Sequence, residues 1–391
     1  MALVKAGCTV DAVCPSGHAL GKMSVVRRTY TYRGLMPLKS VRDAIAASSP
    51  DFVLPGDDLA TCHLHRLYEG ESQRGEAGRP MCELIERSLG APESFPVVYA
   101  RTAFMDLAQD AGIRAPKTEV IANLAELRKW IVRMGVPTVL KVDGTSGGDG
   151  VRVVHTLEEA ERAFRTLQAP PLLARAAKRA LVDQDKTLVW ASLLRRRAVV
   201  NAQSFVAGRE ATSTVACWEG NILASLHFEV LHKRDSSGPS SVLRFIENAE
   251  MLTAAETMVR RLKLSGIHGF DFMLERHTGN AHLIEINPRA TQVGHLPLGA
   301  GRDLPAALYS ALSGSPLQAA PRVTENDTIA LFPQEWLRDP ASTFLTSGYH
   351  DVPWEEPELL RACVGKRWKQ NLKSGKQVPV RALSTVRLPR L

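Results

Sequence analysis

Two short segments in the C-terminal half of the chain, GFDFM (Gly269–Met273) and LIEINPR (Leu283–Arg289), constrain the fold most. In both, apolar and polar residues alternate, which is the pattern of a strand with one buried face. The dipeptide Gly279-Asn280 lies between them and is typical of a tight turn, so the two strands are predicted to form a hairpin. This pairing brings three oxygen-bearing side chains to one face: Asp271, Glu285 and Asn287.

Oxygen ligands of this kind suit Mg²⁺, which binds a few carboxylates and leaves its other positions to water and phosphate oxygens. Carboxylates that merely face solvent would account for the same residue types. Here, however, the flanking residues Phe270, Phe272, Ile284 and Ile286 are apolar, so one face is core and the other carries ligands. We therefore interpret the hairpin as a magnesium–triphosphate site.

The bulk properties are those of a globular chain with two or three subdomains. It has 391 residues, of which 45% are hydrophobic and 23% charged. No apolar run reaches the roughly 20 residues of a membrane-spanning helix, and no basic segment leads into a long apolar stretch as in a signal peptide. The six cysteines are scattered without zinc-binding spacing, so reduced thiols and a cytoplasmic location are expected.

The net charge of +8 raises the question of nucleic-acid binding. The clearest basic clusters, Arg195–Arg197 and Lys366–Lys376, fall in no recognised nucleic-acid module and have few interleaved aromatic residues. Such clusters are more often solvated faces or attract small anionic substrates, so nucleic acid is not an expected partner.

Residues 1–96 alternate between strand and helix patterns, which predicts a small parallel sheet covered by helices. The segments are a strand at 10–15, a helix at 41–48 and a buried strand at 51–58. The last of these ends in Asp57 and Asp58, where open α/β sheets bind ligands. An acid that caps the following helix explains either aspartate equally well.

The middle of the chain mixes helices and strands. We expect helices at 97–112, at 124–134 behind an Asn123/Glu126 capping box, at 157 onward behind Thr156, in a less regular region at 172–195, and at roughly 245–264. We expect strands at 138–143, 151–155, 198–208, 210–218 and 221–231. The tail beyond about residue 320 has no predicted fold.

A glycine-rich loop, LKVDGTSGGDGV (140–151), lies between two of these strands. Glycine lets backbone N–H groups approach a phosphate closely, and Lys141 just before the loop supplies a positive charge. The loop matches neither GxxxxGK[ST] nor GxGxxG, so it is predicted to be a hairpin flap. An ordinary flexible hairpin is the alternative.

The order of this loop, the segment AQSFVAGRE (202–210) and the hairpin resembles the ATP-grasp superfamily over residues 97–315. The resemblance implies an α/β and α+β fold. Residues 1–96 are similar to the small α/β domain that precedes ATP-grasp domains. Within 97–315, a flap-bearing subdomain would span about 115–202 and a metal-bearing subdomain about 203–315, followed by a C-terminal extension of unknown fold at 316–391.

The resemblance also implies roles for individual residues. ATP would be bound by Arg101, Lys141, Lys233, the flap residues Ser146, Gly147, Gly148 and Gly150, the adenine-binding hinge Gln203, Ser204, Phe205 and Val206, the ribose-binding Glu210, and Met273 on the base. Mg²⁺, or Mn²⁺ in its place, would be held by Asp271, Glu285 and Asn287. Arg289 would contact the phosphate that is transferred, so Arg289 and Lys141 are the expected catalytic residues.

Three features depart from the family pattern. Arg101 stands where a lysine is usual, and Gln203 stands where the hinge commonly begins with glutamate. The chain also enters its first predicted helix, ALVKAG, directly from Met1, so either the start was chosen late or the N-terminal sheet lacks its first strand.

The implied activity is that of an ATP-dependent ligase, which activates a carboxylate as an acyl phosphate for attack by an amine or thiol and releases ADP and phosphate. An ATP-dependent carboxylase and a non-catalytic ATP-binding sensor remain open alternatives. Small-molecule carboxylate and amine substrates are the expected partners, without a membrane, and a homodimer is compatible with the sequence. Loops near Asp57, Arg244 and residues 289–301 should form the acceptor pocket, where His295 could contact the second substrate and the arginines suggest an anionic one.

Overall fold

The computed structural model of the protein describes residues 1–143, 150–169, 198–235, 238–318 and 320–363. Its helices are α1 Ala2–Lys5, α2 Pro37–Ser48, α3 Asp58–Ser72, α4 Arg79–Leu89, α5 Phe95–Tyr99, α6 Arg101–Asp110, α7 Leu124–Met134, α8 Leu157–Gln168, α9 Ala249–Leu262, α10 Leu304–Ser313, α11 Gln334–Arg338 and α12 Phe344–Ser347. Its strands are β1 Asp11–Cys14, β2 Arg28–Thr31, β3 Thr118–Ile121, β4 Thr138–Val142, β5 Val151–Val154, β6 Val200–Ser204, β7 Gly208–Trp218, β8 Asn221–Lys233, β9 Ser240–Phe245, β10 Gly266–Glu275, β11 Ala281–Asn287, β12 Thr328–Ala330 and β13 Tyr349–His350.

The N-terminal part contains a small parallel sheet, as predicted, in which β1 pairs with β2. The predicted strand at 51–58 is wrong. A strand needs a ladder of backbone partners, but Val53 N–H donates to the Ser88 hydroxyl (2.9 Å), and the Pro55 carbonyl accepts from Ala290 N–H (3.1 Å). The predicted helix at 97–112 is divided into α5 and α6, because Ala100 has extended backbone angles.

A four-stranded antiparallel sheet with the order β3-β6-β4-β5 follows. Helices α7 and α8 cover it with a core that includes Leu127, Trp130 and Phe164. The predicted capping box is confirmed, since the Asn123 side chain accepts from Glu126 N–H (3.0 Å). Strands β4 and β5 flank the glycine-rich loop, of which residues 144–149 lie outside the described residues.

The largest sheet has seven strands in the order β11-β10-β7-β8-β9-β12-β13. Helix α9 packs on one face against Phe270 and Phe272, and α10 packs on the other. The predicted hairpin is confirmed as the antiparallel pair β10–β11. Strand β9 was not predicted, and the helix expected from about 245 begins at Ala249. The C-terminal residues, for which no fold was predicted, add β12 and β13 to this sheet.

No helix in the described part of the chain is long and apolar enough to cross a bilayer. Cys8, Cys14, Cys62, Cys82 and Cys217 are free cysteines. The basic clusters Arg195–Arg197 and Lys366–Lys376 and the helix predicted at 172–195 lie outside the described residues.

Candidate active site

The predicted oxygen ligands meet on the hairpin β10–β11. Asp271 lies directly opposite Glu285. The Asn287 amide donates to Asp271 Oδ2 (2.9 Å), and the Thr212 hydroxyl on β7 donates to Asp271 Oδ1 (2.9 Å). Thr212 escaped prediction because its place opposite Asp271 follows from the β7–β10 register, which the sequence does not give.

Two cations from other elements reach Glu285. Arg101, the first residue of α6, donates from Nη1 to Glu285 Oε2 at 2.6 Å. Lys141 Nζ on β4 lies 3.9 Å from the same oxygen and 3.5 Å from the Ile284 carbonyl. The structure therefore brings α6, β4 and the hairpin together around one carboxylate.

Burial and charge shift the pKa values of these groups in opposite directions. Burial lowers the pKa of Lys141 to about 8, although Glu285 opposes the shift. Burial, helped by the negative charge of Glu285, raises the pKa of Asp271 to about 6. Burial alone would raise the pKa of Glu285, but Arg101 and Lys141 outweigh it and the pKa is lowered. At neutral pH, both carboxylates and Lys141 are therefore predominantly charged.

Arg289 follows the hairpin and connects it to helix α3. Its Nη2 donates to Asn287 Oδ1 (3.1 Å), and its Nε lies 3.2 Å from Asp58 Oδ2. Asp57, by contrast, caps α3 by accepting from Ala60 N–H (2.7 Å). The two aspartates that the sequence left equivalent thus differ: Asp57 holds the helix and Asp58 faces the site.

Asp143 and Asn201 were not predicted and form a further part of the site. Asp143 Oδ1 lies 3.6 Å from Arg101 Nε and accepts from the Asn201 amide at 2.8 Å. Burial raises the pKa of Asp143. Its position two residues after Lys141, on the same side of an extended chain, was a signal that could have identified it.

Of the residues predicted to contact the nucleoside, some lie together and others do not. Glu210 pairs with Lys233 at 2.7 Å and lies opposite Met273 in the β7–β10 register, so these three residues are neighbours. The Gln203 side chain is instead buried, and its amide donates to Thr118 Oγ1 (3.1 Å).

The structure describes the remaining hinge residues but only one of the predicted flap residues, Gly150. Ser204 ends β6, whereas Phe205 and Val206 follow that strand, with the Phe205 side chain exposed. Gly150 accepts from Val142 N–H at 3.0 Å. The flap residues Ser146, Gly147 and Gly148 lie outside the described residues. All these roles in nucleotide binding stay predictions.

The donor set fits a magnesium ion supported by a nucleotide. Among the described residues, no group of three or more His, Cys, Asp and Glu side chains could hold a metal by itself. Asp271 and Glu285 supply carboxylates, and rotation of the Asn287 amide would turn its oxygen toward them. The linked groups comprise the carboxylates Asp58, Asp143, Asp271 and Glu285 and the cations Arg101, Lys141 and Arg289, which leaves one excess negative charge for a cation.

Residues 100–297 match the family model for the carbamoyl-phosphate synthase L chain, ATP-binding domain. The chain belongs to this family. The predicted ATP-grasp membership is thereby confirmed. Arg101, at the start of α6, and Arg289, after the hairpin, both fall within the matched residues.

The similarity to individual curated proteins is low and covers only part of each chain. The chain is 31% identical over 142 residues to a phosphoribosylamine–glycine ligase of Ralstonia nicotianae, covering 36% of this chain and 28% of the relative. It is 24% identical over 273 residues to the carbamoyl phosphate synthase large chain of Methanoculleus marisnigri, covering 66% of this chain and 22% of the relative. The chain thus spans about a quarter of the length of these two proteins.

The fold is similar to that of solved carboxylases. The biotin carboxylase domain of Hydrogenobacter thermophilus 2-oxoglutarate carboxylase, a dimer solved with MgADP and bicarbonate, superposes with a TM-score of 0.56. The sequences are 14% identical, and the match covers 82% of this chain and 67% of that one. This likeness confirms the predicted fold class, a small parallel-sheet domain followed by an ATP-grasp fold.

Proposed function

We propose that the protein is an ATP-dependent ligase that phosphorylates a substrate carboxylate and passes the acyl group to an amine, with release of ADP and phosphate. The observation that carries the proposal is the convergence of Arg101, Lys141 and Arg289 on a hairpin that bears Asp271 and Glu285. The phosphoribosylamine–glycine ligase named above supports the same type of reaction by its name. Phosphoryl transfer depends on this combination of positioning and charge stabilisation.

Each residue has a role that follows from its place. Lys141, whose ammonium group is buried, would bind a phosphate oxygen, and Arg101 would hold Glu285 in position. Arg289, bridging Asn287 and Asp58, would orient the phosphoryl group that moves to the carboxylate oxygen. Asp271, Glu285 and Asn287 would hold Mg²⁺ or Mn²⁺, which when bound neutralises charge on the phosphate oxygens.

The proposed reaction has two steps, a phosphoryl transfer followed by an acyl transfer. The carboxylate oxygen forms a bond to the γ-phosphorus as the bond to ADP breaks. The amine nitrogen then bonds to the acyl carbon as the carbon–oxygen bond to phosphate breaks, and phosphate leaves with the electron pair. Small-molecule carboxylates and amines are thus the proposed partners. The free thiols of Cys8, Cys14, Cys62, Cys82 and Cys217 fit the proposed cytoplasmic location. A homodimer also remains a proposal.

Acyl phosphate trapping tests the proposal. The protein is incubated with ATP, Mg²⁺ and a panel of carboxylic acids, and hydroxylamine converts any acyl phosphate to a hydroxamate, which is detected as its coloured iron(III) complex. We expect acid-dependent hydroxamate that falls about 100-fold in Glu285→Gln, because an oriented charge is lost at the reacting phosphate. Glu275→Gln, in the same strand pair but away from the site, is the matched control.

The alternatives give different results. ADP formation that depends on bicarbonate, without hydroxamate from any carboxylic acid, would favour the carboxylase. ATP binding without acid-dependent phosphate release would favour the sensor. Equal hydroxamate formation by Glu285→Gln and wild type would contradict the assigned site.

A further inference from the structure

The backbone around Arg289, in the loop that follows β11, is held by contacts with the N-terminal part of the chain. The Pro288 carbonyl accepts from the Thr61 hydroxyl at 2.8 Å. Ala290 N–H donates to the Pro55 carbonyl at 3.1 Å. These two bonds fix the chain immediately before and immediately after Arg289.

The next residue, Thr291, returns to the seven-stranded sheet and lies over Gly269 of β10. Gly269 is paired with Thr214 of β7 on one side and with Asn287 of β11 on the other. It precedes Asp271 by two residues, so both lie on the same face of the sheet. The Thr291 side chain therefore lies beside the proposed metal ligands.

The glycine at position 269 is what allows Thr291 to come this close. A methyl group added at Gly269 would overlap Thr291 Cγ2 and would lie 3.3 Å from Asn287 Cβ. The Thr291 methyl thus occupies the space that a side chain on β10 would otherwise fill.

The other branch of the Thr291 side chain makes a polar contact. Its hydroxyl forms a hydrogen bond with the hydroxyl of Thr214, which is completely buried. A buried polar group that loses its partner is costly, so this bond resists displacement of the loop. The methyl and the hydroxyl are attached to one stiff β-branched side chain, and together they set where Thr291 lies.

The Arg289 side chain depends on this placement of the loop. Its Nη2 donates to Asn287 Oδ1 at 3.1 Å, and its Nε lies 3.2 Å from Asp58 Oδ2. The side chain is only 22% exposed, so contacts with protein rather than with solvent determine its direction. A displacement of about 1 Å in a group that orients a reacting atom can cost up to about 100-fold in rate.

We propose that Thr291 is a positioning residue for Arg289. Its methyl on Gly269 and its hydroxyl on Thr214 fix the loop so that the guanidinium of Arg289 meets the phosphoryl group during transfer. The proposal rests on the ligase function proposed above. It assigns Thr291 an action through Arg289 and no contact with a substrate.

The kinetics of hydroxamate formation test this role. Thr291→Val keeps the methyl group and loses the hydroxyl. Its kcat should fall about tenfold, whereas its KM for ATP should change less than twofold, because the proposed metal and nucleotide ligands are kept. Thr253→Val, which changes an exposed threonine on α9, is the matched control and should leave both constants at their wild-type values. An unchanged kcat in Thr291→Val would overturn the proposal and leave the ligase function intact.

A double-mutant cycle separates positioning from a general loss of structure. If Thr291 acts through Arg289, Thr291→Val should lower kcat less than twofold in the Arg289→Gln background. A tenfold fall in both backgrounds would show that the two residues act independently and would overturn the proposal.

The contact with Gly269 has its own test. Gly269→Ala should lower kcat about tenfold, because the added methyl displaces Thr291. The further substitution Thr291→Ser removes the methyl that is displaced and keeps the hydroxyl, so it should raise kcat of Gly269→Ala at least threefold. No recovery in the double variant would contradict the placement of Thr291 by Gly269.

Nucleotide preference provides a readout that needs no substrate acid. Absence of hydroxamate with every acid would overturn the ligase function, and calorimetry with Mg²⁺ would then compare a non-hydrolysable ATP analogue with ADP. The preference for the analogue reports contact with the γ-phosphate, and it should fall at least threefold in both Arg289→Gln and Thr291→Val but not in Thr253→Val. An unchanged preference in either of the first two variants would overturn the positioning role.

Discussion

Lys141 carries a positive charge in a place where solvation is poor. Its side chain is almost completely buried, and its pKa is lowered from 10.5 to about 8. A shift of this size corresponds to a cost of roughly 3 kcal/mol for keeping the charge in the folded protein. A buried ammonium group of this kind is stabilised when a phosphate oxygen takes the place of the missing water, which fits a binding residue better than a structural one.

The lowered pKa of Lys141 predicts how ATP affinity depends on pH. Below pH 8 the ammonium is charged and can bind phosphate, whereas above pH 8 the free protein loses this proton and must regain it to bind. From pH 7 to pH 9, ATP affinity should therefore fall about tenfold. In Lys141→Arg, which keeps its charge, the affinity should change little over that range. Calorimetry with a non-hydrolysable ATP analogue measures both, and the same decline in both proteins would contradict the role of Lys141.

The position of a site residue was predictable where alternation along a strand determines which face its side chain lies on. Alternation in β10 and β11 was sufficient to place Asp271 and Glu285 on one face. Thr212 was missed because its hydrogen bond to Asp271 arises from the pairing of β7 with β10, which joins distant parts of the chain and is not contained in a pattern along the sequence. Asp143 was missed although its spacing from Lys141 was a usable signal.

At the scale of elements, an extended segment becomes a strand only when another strand pairs with it. Residues 51–56 have the apolar composition of a buried strand, yet their hydrogen bonds go to Ser88 and Ala290. The short strands β12 and β13 show the reverse case, because β12 pairs with the edge of β9 and β13 pairs with β12. Composition alone favoured a strand at residues 51–56 and gave no indication of β12 and β13.

Hydrogen bonds to Glu356 connect the C-terminal residues to the N-terminal part of the chain. Its buried carboxylate accepts from Ser24 N–H (2.7 Å), Ser24 Oγ (3.0 Å) and Val25 N–H (3.3 Å). Glu356→Ala should lower the free energy of unfolding by about 3 kcal/mol, since these donors lose a charged acceptor. Urea denaturation measures the change. Glu358→Ala, nearby and exposed, should change it by less than about 0.5 kcal/mol, and equal effects of the two substitutions would refute this role.

At the scale of the whole molecule, the site exists because three regions meet. Helix α3 contributes Asp58, the four-stranded sheet contributes Lys141, and the seven-stranded sheet contributes the hairpin. The Thr61 hydroxyl donates to the Pro288 carbonyl at 2.8 Å and ties the first region to the third. The order of the motifs predicted this fold, but no pattern gave a structure for the C-terminal residues, which add β12 and β13 to the seven-stranded sheet.

The central claim is that the hairpin holds a metal–nucleotide complex, and Mn²⁺ binding measured by electron paramagnetic resonance tests it most directly. With a non-hydrolysable ATP analogue present, wild type and the control Glu275→Gln should bind Mn²⁺ saturably. Asp271→Asn/Glu285→Gln should bind it at least about tenfold more weakly, because the two carboxylate ligands are replaced by neutral amides. Equal Mn²⁺ binding by the double variant and wild type would contradict the assignment of the site.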